Sequence, residues 1–298
     1  IMEEVIPKKL KLLITGANGQ LGRCLQDVSK TFPSYDFHFK TSKELDVTNQ
    51  EQINILFAKE EFDYCINCAA YTAVDKAETD RENAFLVNAE AAKYLAEACK
   101  AQNSILIHIS TDFVFDGSKT TPYTEDDLPN PINVYGASKL KGEQYVQDIL
   151  KQYFIIRTSW VYSQYGNNFV KTMLRLGTER HELYVVNDQR GSPTYASDLA
   201  ELIMNVIHTD SKNYGIFHYS NEGEISWHEF AAAIFEGCNL PCNLLAISSA
   251  KYQTKAKRPM YTTLDKTKSI QSFKINNRNW KDRLNHLLAK LNNPQHGI

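Results

Sequence analysis

"LKLLITGANGQLG", Leu10 to Gly22, sets a short apolar run directly against three glycines spaced three apart, at 16, 19 and 22. An apolar run of that length reads as a buried strand. The amphipathic stretch that follows, "GQLGRCLQDVSKTF", reads as a helix. Glycines at such a junction permit a tight turn and let backbone N–H groups approach a diphosphate, while the helix N-terminus adds positive dipole. A glycine-rich turn with no ligand is the ordinary alternative, and the position at the first strand-to-helix junction argues against it.

Outward from this junction the same alternation continues. Apolar runs "YDFHF", "FDYCINCAA", "SILIHIS" and "YFIIRTSWVY" are separated by helical stretches: "NQEQINILFAKE", a long helix expected from Asp75 to about Gln102, and another from about Val134. Short apolar runs alternating with helices signal βαβ units and a parallel sheet buried on both faces. The fold class is therefore α/β, a Rossmann-like doubly wound parallel sheet with a smaller, mostly helical substrate-binding region. After Tyr162 helices are expected near 167 to 178, 195 to 208, 226 to 237 and from Trp280 to Leu291, with late sheet strands near "YVV" and "IFHY". The division that follows is 10–162 plus about 184–220 for the dinucleotide-binding domain, and about 163–183 and 221–298 for the substrate-binding region.

The chain has 298 residues, 43% hydrophobic and 23% charged, with a formal charge of −2. That balance offers no field to gather nucleic acid or an anionic membrane, so small molecules are the expected partners. The opening "IMEEVIPKKLKLLITG" carries glutamates where a signal peptide needs basic residues, and its apolar run is too short to span a bilayer. The expected location is the cytoplasm. Two cysteine pairs, in "CINC" and "CNLPC", could suggest a zinc site. Cys65 and Cys68 lie in an apolar run that suits a buried strand end, where thiols act as small hydrophobes, and no metal is expected.

At the end of the second strand a carboxylate would hold a ribose 2′-hydroxyl, whereas basic residues would accept a 2′-phosphate. The corner reads "FHFKTSKELDV": Lys40 and Lys43, with Arg23 past the glycine turn, outweigh Glu44, and Ser42 can add a hydroxyl. NADPH is favoured, with NADH as a second cofactor. Further on, "VYGASK" places Tyr135 four residues before Lys139. One helical turn apart, the two share a face, and a nearby ammonium should lower the phenol pKa from about 10.

The order of these motifs, followed by "NCAAYTAVDKAE", "HISTDFVFDG", "RTSWVY" and "NDQRGSPT", resembles the extended short-chain dehydrogenase/reductase family over nearly the whole chain from Lys11 onward. Within it the likeness is to reductases of keto sugar nucleotides. The resemblance implies that Gly16, Gly19, Gln20, Leu21 and Gly22 line the cofactor diphosphate, and that Asp46 and Val47 meet the adenine. Ala69, Ala70, Tyr71 and Thr72 would run toward the nicotinamide. Val74, Thr111, Asp112 and Trp160 would face the sugar nucleotide. Tyr135, Lys139 and Thr111 would be catalytic: Tyr135 as proton donor, Lys139 also on the nicotinamide ribose, and Thr111 bound to the same carbonyl oxygen. Dehydratases of the family carry Asp-Glu after that threonine, and here Asp112 is followed by Phe113, which cannot act as a base. The implied reaction is hydride transfer from NADPH to the C4 keto group of a 4-keto-6-deoxy-L-hexose carried on dTDP. A regulatory, non-catalytic subunit of methionine adenosyltransferase also resembles these reductases, and is the alternative. In some members acidic residues after the glycine turn and after "Pro-Thr" bind Mg²⁺ and join two subunits. Here those positions are Cys24 and Ser197, with Asp198 and Glu201 nearby, so a monomer, or a dimer not held by Mg²⁺, is expected.

Overall fold

In a computed structural model that describes residues 9–292, the glycine stretch joins strand β1, Lys11–Thr15, to helix α1, Gln20–Ser29. There follow β2 (Asp36–Lys40), α2 (Gln50–Lys59) and β3 (Tyr64–Asn67). β1 pairs in parallel with β2 on one side and β3 on the other. The chain therefore reverses its direction of travel across the sheet at β1, which opens a crevice at the strand ends there. Beyond β3 the long helix expected from Asp75 is broken into α3 (Val74–Ala77), α4 (Arg81–Phe85), a π-helical turn at Leu86–Glu90 and α5 (Ala91–Gln102). The π turn gives Asn88 a place to turn inward, as the site below requires.

Strand β4 (Ile105–Thr111), helix α6 (Val134–Ile149) and β5 (Tyr153–Thr158) complete the central part. In β3, β4 and β5 nearly every residue is buried, as expected of strands covered on both faces. Next in the chain come β6 (Val161–Tyr162), α7 (Phe169–Glu179), β7 (Glu182–Val186), β8 (Arg190–Gly191), β9 (Thr194–Tyr195), α8 (Ala196–His208) and β10 (Gly215–His218). The last elements are β11 (Ile225–Ser226), α9 (Trp227–Cys238), β12 (Asn243–Ile247), α10 (Thr267–Phe273) and α11 (Trp280–Asn292). The main sheet has six strands in the order β10-β5-β4-β3-β1-β2, all parallel. "IFHY" thus supplies its last strand. "YVV" does not: β7 pairs with β12 instead, because Leu183 and Val185 face a separate core with Phe230, Ile234, Leu284 and Leu287. Residues 184–186, expected with the nucleotide-binding half, therefore sit in the second layer.

Cys65 is buried in the core under α5, whereas Cys242 belongs to that separate core, so the two cysteine pairs do not meet. Among the described residues every cysteine is free. No helix among them is long and apolar enough to cross a membrane.

Candidate active site

The glycine turn closes on the segment after β3. Gly16 has φ of +61°, and a Cβ there would lie 2.7 Å from the backbone nitrogen of Ala69. At Gly22 a Cβ would meet Ala17 Cα at 2.7 Å, so α1 packs onto its own turn. Gly19 is different: only the Gly16 carbonyl, at 3.3 Å, faces its missing Cβ, and it caps α1 without a side-chain bond. The N–H groups of the first turn of α1 are thereby left for a ligand. The Gln20 side chain ties the turn to the second layer, since its Oε1 accepts from Ser163 at 2.8 Å and Asn168 at 3.1 Å. Leu21 is buried.

At the end of β2 the carbonyl of Lys40 accepts from Ala17 N at 3.1 Å, so the lysine borders the glycine turn. Glu44, the one competing acid, folds back: its carboxylate accepts from Thr41 N at 2.8 Å and Thr41 Oγ1 at 2.9 Å, bonds that hold its pKa down. Lys43 and Ser42 are exposed. Arg23 is placed elsewhere, with its guanidinium 4.4 Å over the Tyr165 ring. Asp46 closes a turn on Thr48 through Oδ1, and Val47 is buried beside it.

Along the crevice, Asn67 Oδ1 accepts from Thr15 at 2.7 Å and Ala69 N at 3.3 Å. Ala70 and Thr72 form an exposed rim. Tyr71 is held at both ends of its backbone by Asn88, which accepts from Tyr71 N at 2.8 Å and donates to Tyr71 O at 3.0 Å. The same amide donates to Ser138 Oγ on α6 at 2.9 Å. Sequence reading missed Asn88, although an amide inside the apolar stretch "AFLVNAEAA" is a signal of buried polar work.

Tyr135 and Lys139 lie in the first turns of α6, which Asn133 caps by accepting from Gly136 N at 2.7 Å. Tyr135 is half-buried, edge-on to Phe113 with ring centroids 5.9 Å apart. Burial pushes its phenol up to about 12; the facing Thr111 hydroxyl offsets this in part, and Asp112 adds to it. The expected depression by Lys139 is thus overturned. The Lys139 ammonium is buried and donates to the Ile109 carbonyl at 2.5 Å. Burial brings it down to about 8, with Glu143 and Cys68 holding it up. Thr111 ends β4, buried, and donates to Asp112 Oδ1 at 3.1 Å. Burial raises Asp112 to about 7, and the hydroxyls of Thr262 and Thr111 offset that only in part. Its Oδ2 is buried without a well-formed hydrogen bond.

One segment the sequence did not flag, Ala256–Thr263, gathers the remaining residues. Arg258 pairs with both oxygens of Asp75, at 3.0 and 2.9 Å, beside Val74. Asn133 donates to Lys257 O at 2.9 Å, and Arg190 exchanges backbone bonds with Met260 and Thr262. Gly191 in turn packs on Trp160, where a Cβ would lie 3.0 Å from the indole. The segment thus touches the surroundings of Val74 through Asp75, the cap of α6 through Asn133, and, through Arg190, the strand next to Trp160. Trp160 holds a left-handed backbone, φ +48°, and stacks on Trp227 with centroids 3.6 Å apart. Trp227 was also missed; the capping box of Ser226 and Glu229 that starts α9 was its available signal.

A family model described as the RmlD substrate binding domain matches residues 10–293. The chain belongs to this family. The RmlD-family chain is 42% identical to the dTDP-4-dehydrorhamnose reductase of Aggregatibacter actinomycetemcomitans, over 94% of its own length and 98% of that protein. It is 40% identical to the spore coat polysaccharide biosynthesis protein SpsK of Bacillus subtilis (strain 168), covering 94% and 97%. Among solved structures it resembles the dTDP-4-dehydrorhamnose reductase of Bacillus anthracis str. Ames in complex with NADP, with a TM-score of 0.91, 43% identity, and coverage of 95% and 100%.

Proposed function

We propose that this chain is an NADPH-dependent oxidoreductase of the cytoplasm that reduces the 4-keto group of dTDP-4-dehydro-6-deoxy-L-mannose, giving dTDP-L-rhamnose for surface polysaccharide. The observation that carries the reading is the meeting of Thr111, Tyr135 and Lys139 at the end of β4, beside a glycine turn whose missing Cβ atoms leave a cradle. The residues fit a dinucleotide with a 2′-phosphate: the α1 N-terminus for the diphosphate, and Lys40 and Lys43 at the ribose corner with Glu44 turned away. NADPH supplies the hydride. Tyr135, with its phenol held near 12, is protonated at neutral pH and is therefore loaded as the acid a reduction needs. Thr111 shares the substrate oxygen with it, and Lys139 sits behind both. Asp112, bonded to the Thr111 hydroxyl, is the group assigned to a sugar hydroxyl. Phe113 offers no base, which leaves reduction and not elimination.

The test is NADPH oxidation by the chain alone with the dTDP-linked 4-keto sugar. Tyr135→Phe is expected to lower kcat by about 10² to 10⁴ with an unchanged melting temperature. A variant within about threefold of wild type would defeat the assignment. A regulatory subunit would oxidise no NADPH at all.

A further inference from the structure

Three successive residues of β4 meet three residues of α6 that lie four apart. The Thr111 hydroxyl faces Tyr135, the Ile109 carbonyl takes the Lys139 ammonium at 2.5 Å, and Ser110 Oγ donates to Glu143 Oε1 at 2.5 Å. Residues at i, i+4 and i+8 share a helix face, so this is one stripe of α6 laid along one strand end. Glu143 is fully buried. Its two oxygens take a fork from Arg157 on β5, Nε at 2.9 Å and Nη2 at 2.7 Å. Arg157 Nη1 lies 3.3 Å from His218 Nε2 on β10, whose Nδ1 is 3.0 Å from the Tyr123 carbonyl. That carbonyl can only accept, so Nδ1 carries the proton and Nε2 accepts from the guanidinium. Burial, with Arg157 alongside, brings His218 down to about 3, and the ring stays neutral. A polar rail thus runs from α6 across β4, β5 and β10.

We infer that Glu143 is a positioning residue for the Tyr135 and Lys139 pair: anchored by Ser110 and Arg157, it fixes the register of α6 on β4 and holds a negative charge one turn behind Lys139. The inference rests on the proton-transfer role proposed for that pair. A buried ion pair is weak evidence of stability, since apolar residues of like volume often do as well. Its placement one turn from a buried lysine gives it another use. The titratable groups facing Lys139 are Glu143 on its own helix, Cys68 after β3 and His108 on β4, whose imidazole is pushed down by burial and by Lys139. Among these Glu143 alone brings an anion to hold the ammonium.

The decisive comparison is wild type against Glu143→Gln in the full chain. ¹⁵N NMR of labelled lysine in the cofactor-free protein, with the signal assigned by its loss in Lys139→Met, reads the Lys139 midpoint directly. The alkaline limb of kcat against pH reads it in turnover. Both are expected to move to lower pH by about half a unit or more, and Glu143→Asp is expected to restore them in part. A lowered melting temperature with both midpoints unmoved would reduce Glu143 to packing and overturn the inference. Should Glu143→Gln fail to fold because Arg157 is left buried and unpaired, Glu143→Gln with Arg157→Gln removes both charges. The midpoints should still fall, since the lost anion is the nearer, and unmoved midpoints again overturn the inference. Wild type that oxidises no NADPH with the keto sugar would defeat the proposed reaction, while the NMR arm would still judge Glu143.

Discussion

At the residue scale the chemistry is set by desolvation, and two outcomes follow. Neither Lys40 nor Lys43 has an ion-pair partner among the described residues, and Glu44 is spent on Thr41. Lys40→Ala with Lys43→Ala is expected to weaken NADPH by about ten- to a hundredfold, the value of one or two charge-assisted bonds. NADH, which has no 2′-phosphate, should bind nearly as before; fluorescence titration of each cofactor checks it, and equal weakening of both would make these lysines a solvated face. The sequence favours NADPH at this corner because the choice depends on which charges crowd one short loop. Arg23 lies over Tyr165, a contact that sequence position cannot show because the two residues are far apart along the chain. The tyrosine pKa was misjudged for a related reason: spacing shows that Lys139 shares a helix face with Tyr135, but not that a β4 carbonyl takes its ammonium. Asp112 gives the second outcome. Its carboxyl is raised to about 7 by burial, so the folded chain binds its proton more tightly than the unfolded chain, where the group titrates near 4. That contribution to stability is complete below about pH 4 and is lost as pH rises to about 7. Asp112→Asn removes the dependence. Its melting temperature relative to wild type should therefore climb across that window and level off above it; a constant difference would show that the carboxyl is not held protonated.

At the scale of elements, α6 approaches the turn after β4 and the π turn at Leu86–Glu90 more closely than side chains allow. A Cβ on Gly136 would fall on the Phe113 carbonyl oxygen and 2.9 Å from its carbon, and one on Gly142 would fall on the Asn88 carbonyl oxygen. The obstacle is backbone in both cases, which cannot rotate aside. Gly136→Ala is expected to push the start of α6 outward, at a cost of about 1 to 3 kcal/mol, and to lower kcat well beyond what that loss of stability explains. A displacement of about 1 Å at reacting atoms can cost a hundredfold. Calorimetry beside kinetics separates the two; full activity with a lowered melting temperature would mean that Tyr135 tolerates the shift. The helices and strands of the first half were legible because buried parallel strands read as apolar runs and amphipathic helices carry their own period. What failed was the helix from Asp75, which is interrupted at residues 78–80 and then runs without a gap through a π turn at Asn88, whose amide holds Tyr71. β12 and α10 escaped notice because short, half-exposed elements leave little pattern.

For the whole molecule, the place to test Mg²⁺-linked association is where α1 and α8 pack together. The two positions that the family resemblance would assign to metal-binding acids lie side by side there, with Ser197 Oγ 3.6 Å from Cys24 Sγ. Burial raises that thiol to about 11, so at neutral pH the site offers a protonated thiol and a hydroxyl. A hard divalent cation asks for several carboxylate oxygens, and these groups do not fit it. The acids nearby are committed elsewhere. Asp198 is buried and takes bonds from Asn221 at 2.7 Å, Arg278 at 2.7 Å and Arg283 at 2.9 Å, while Glu201 takes the other arm of Arg278 at 2.6 Å. Drawing Asp198 onto a cation would leave Arg283 without the buried carboxylate that neutralises it, and breaking such a pair on one side costs about 3 to 5 kcal/mol. Two copies would have to meet that cost at once for a shared ion. Light scattering at several protein concentrations, with Mg²⁺ and with EDTA, should therefore give the same molar mass under both conditions. A dimer that dissociates on chelation and re-forms with Mg²⁺ would show that Asp198 and Glu201 leave their arginines for the metal.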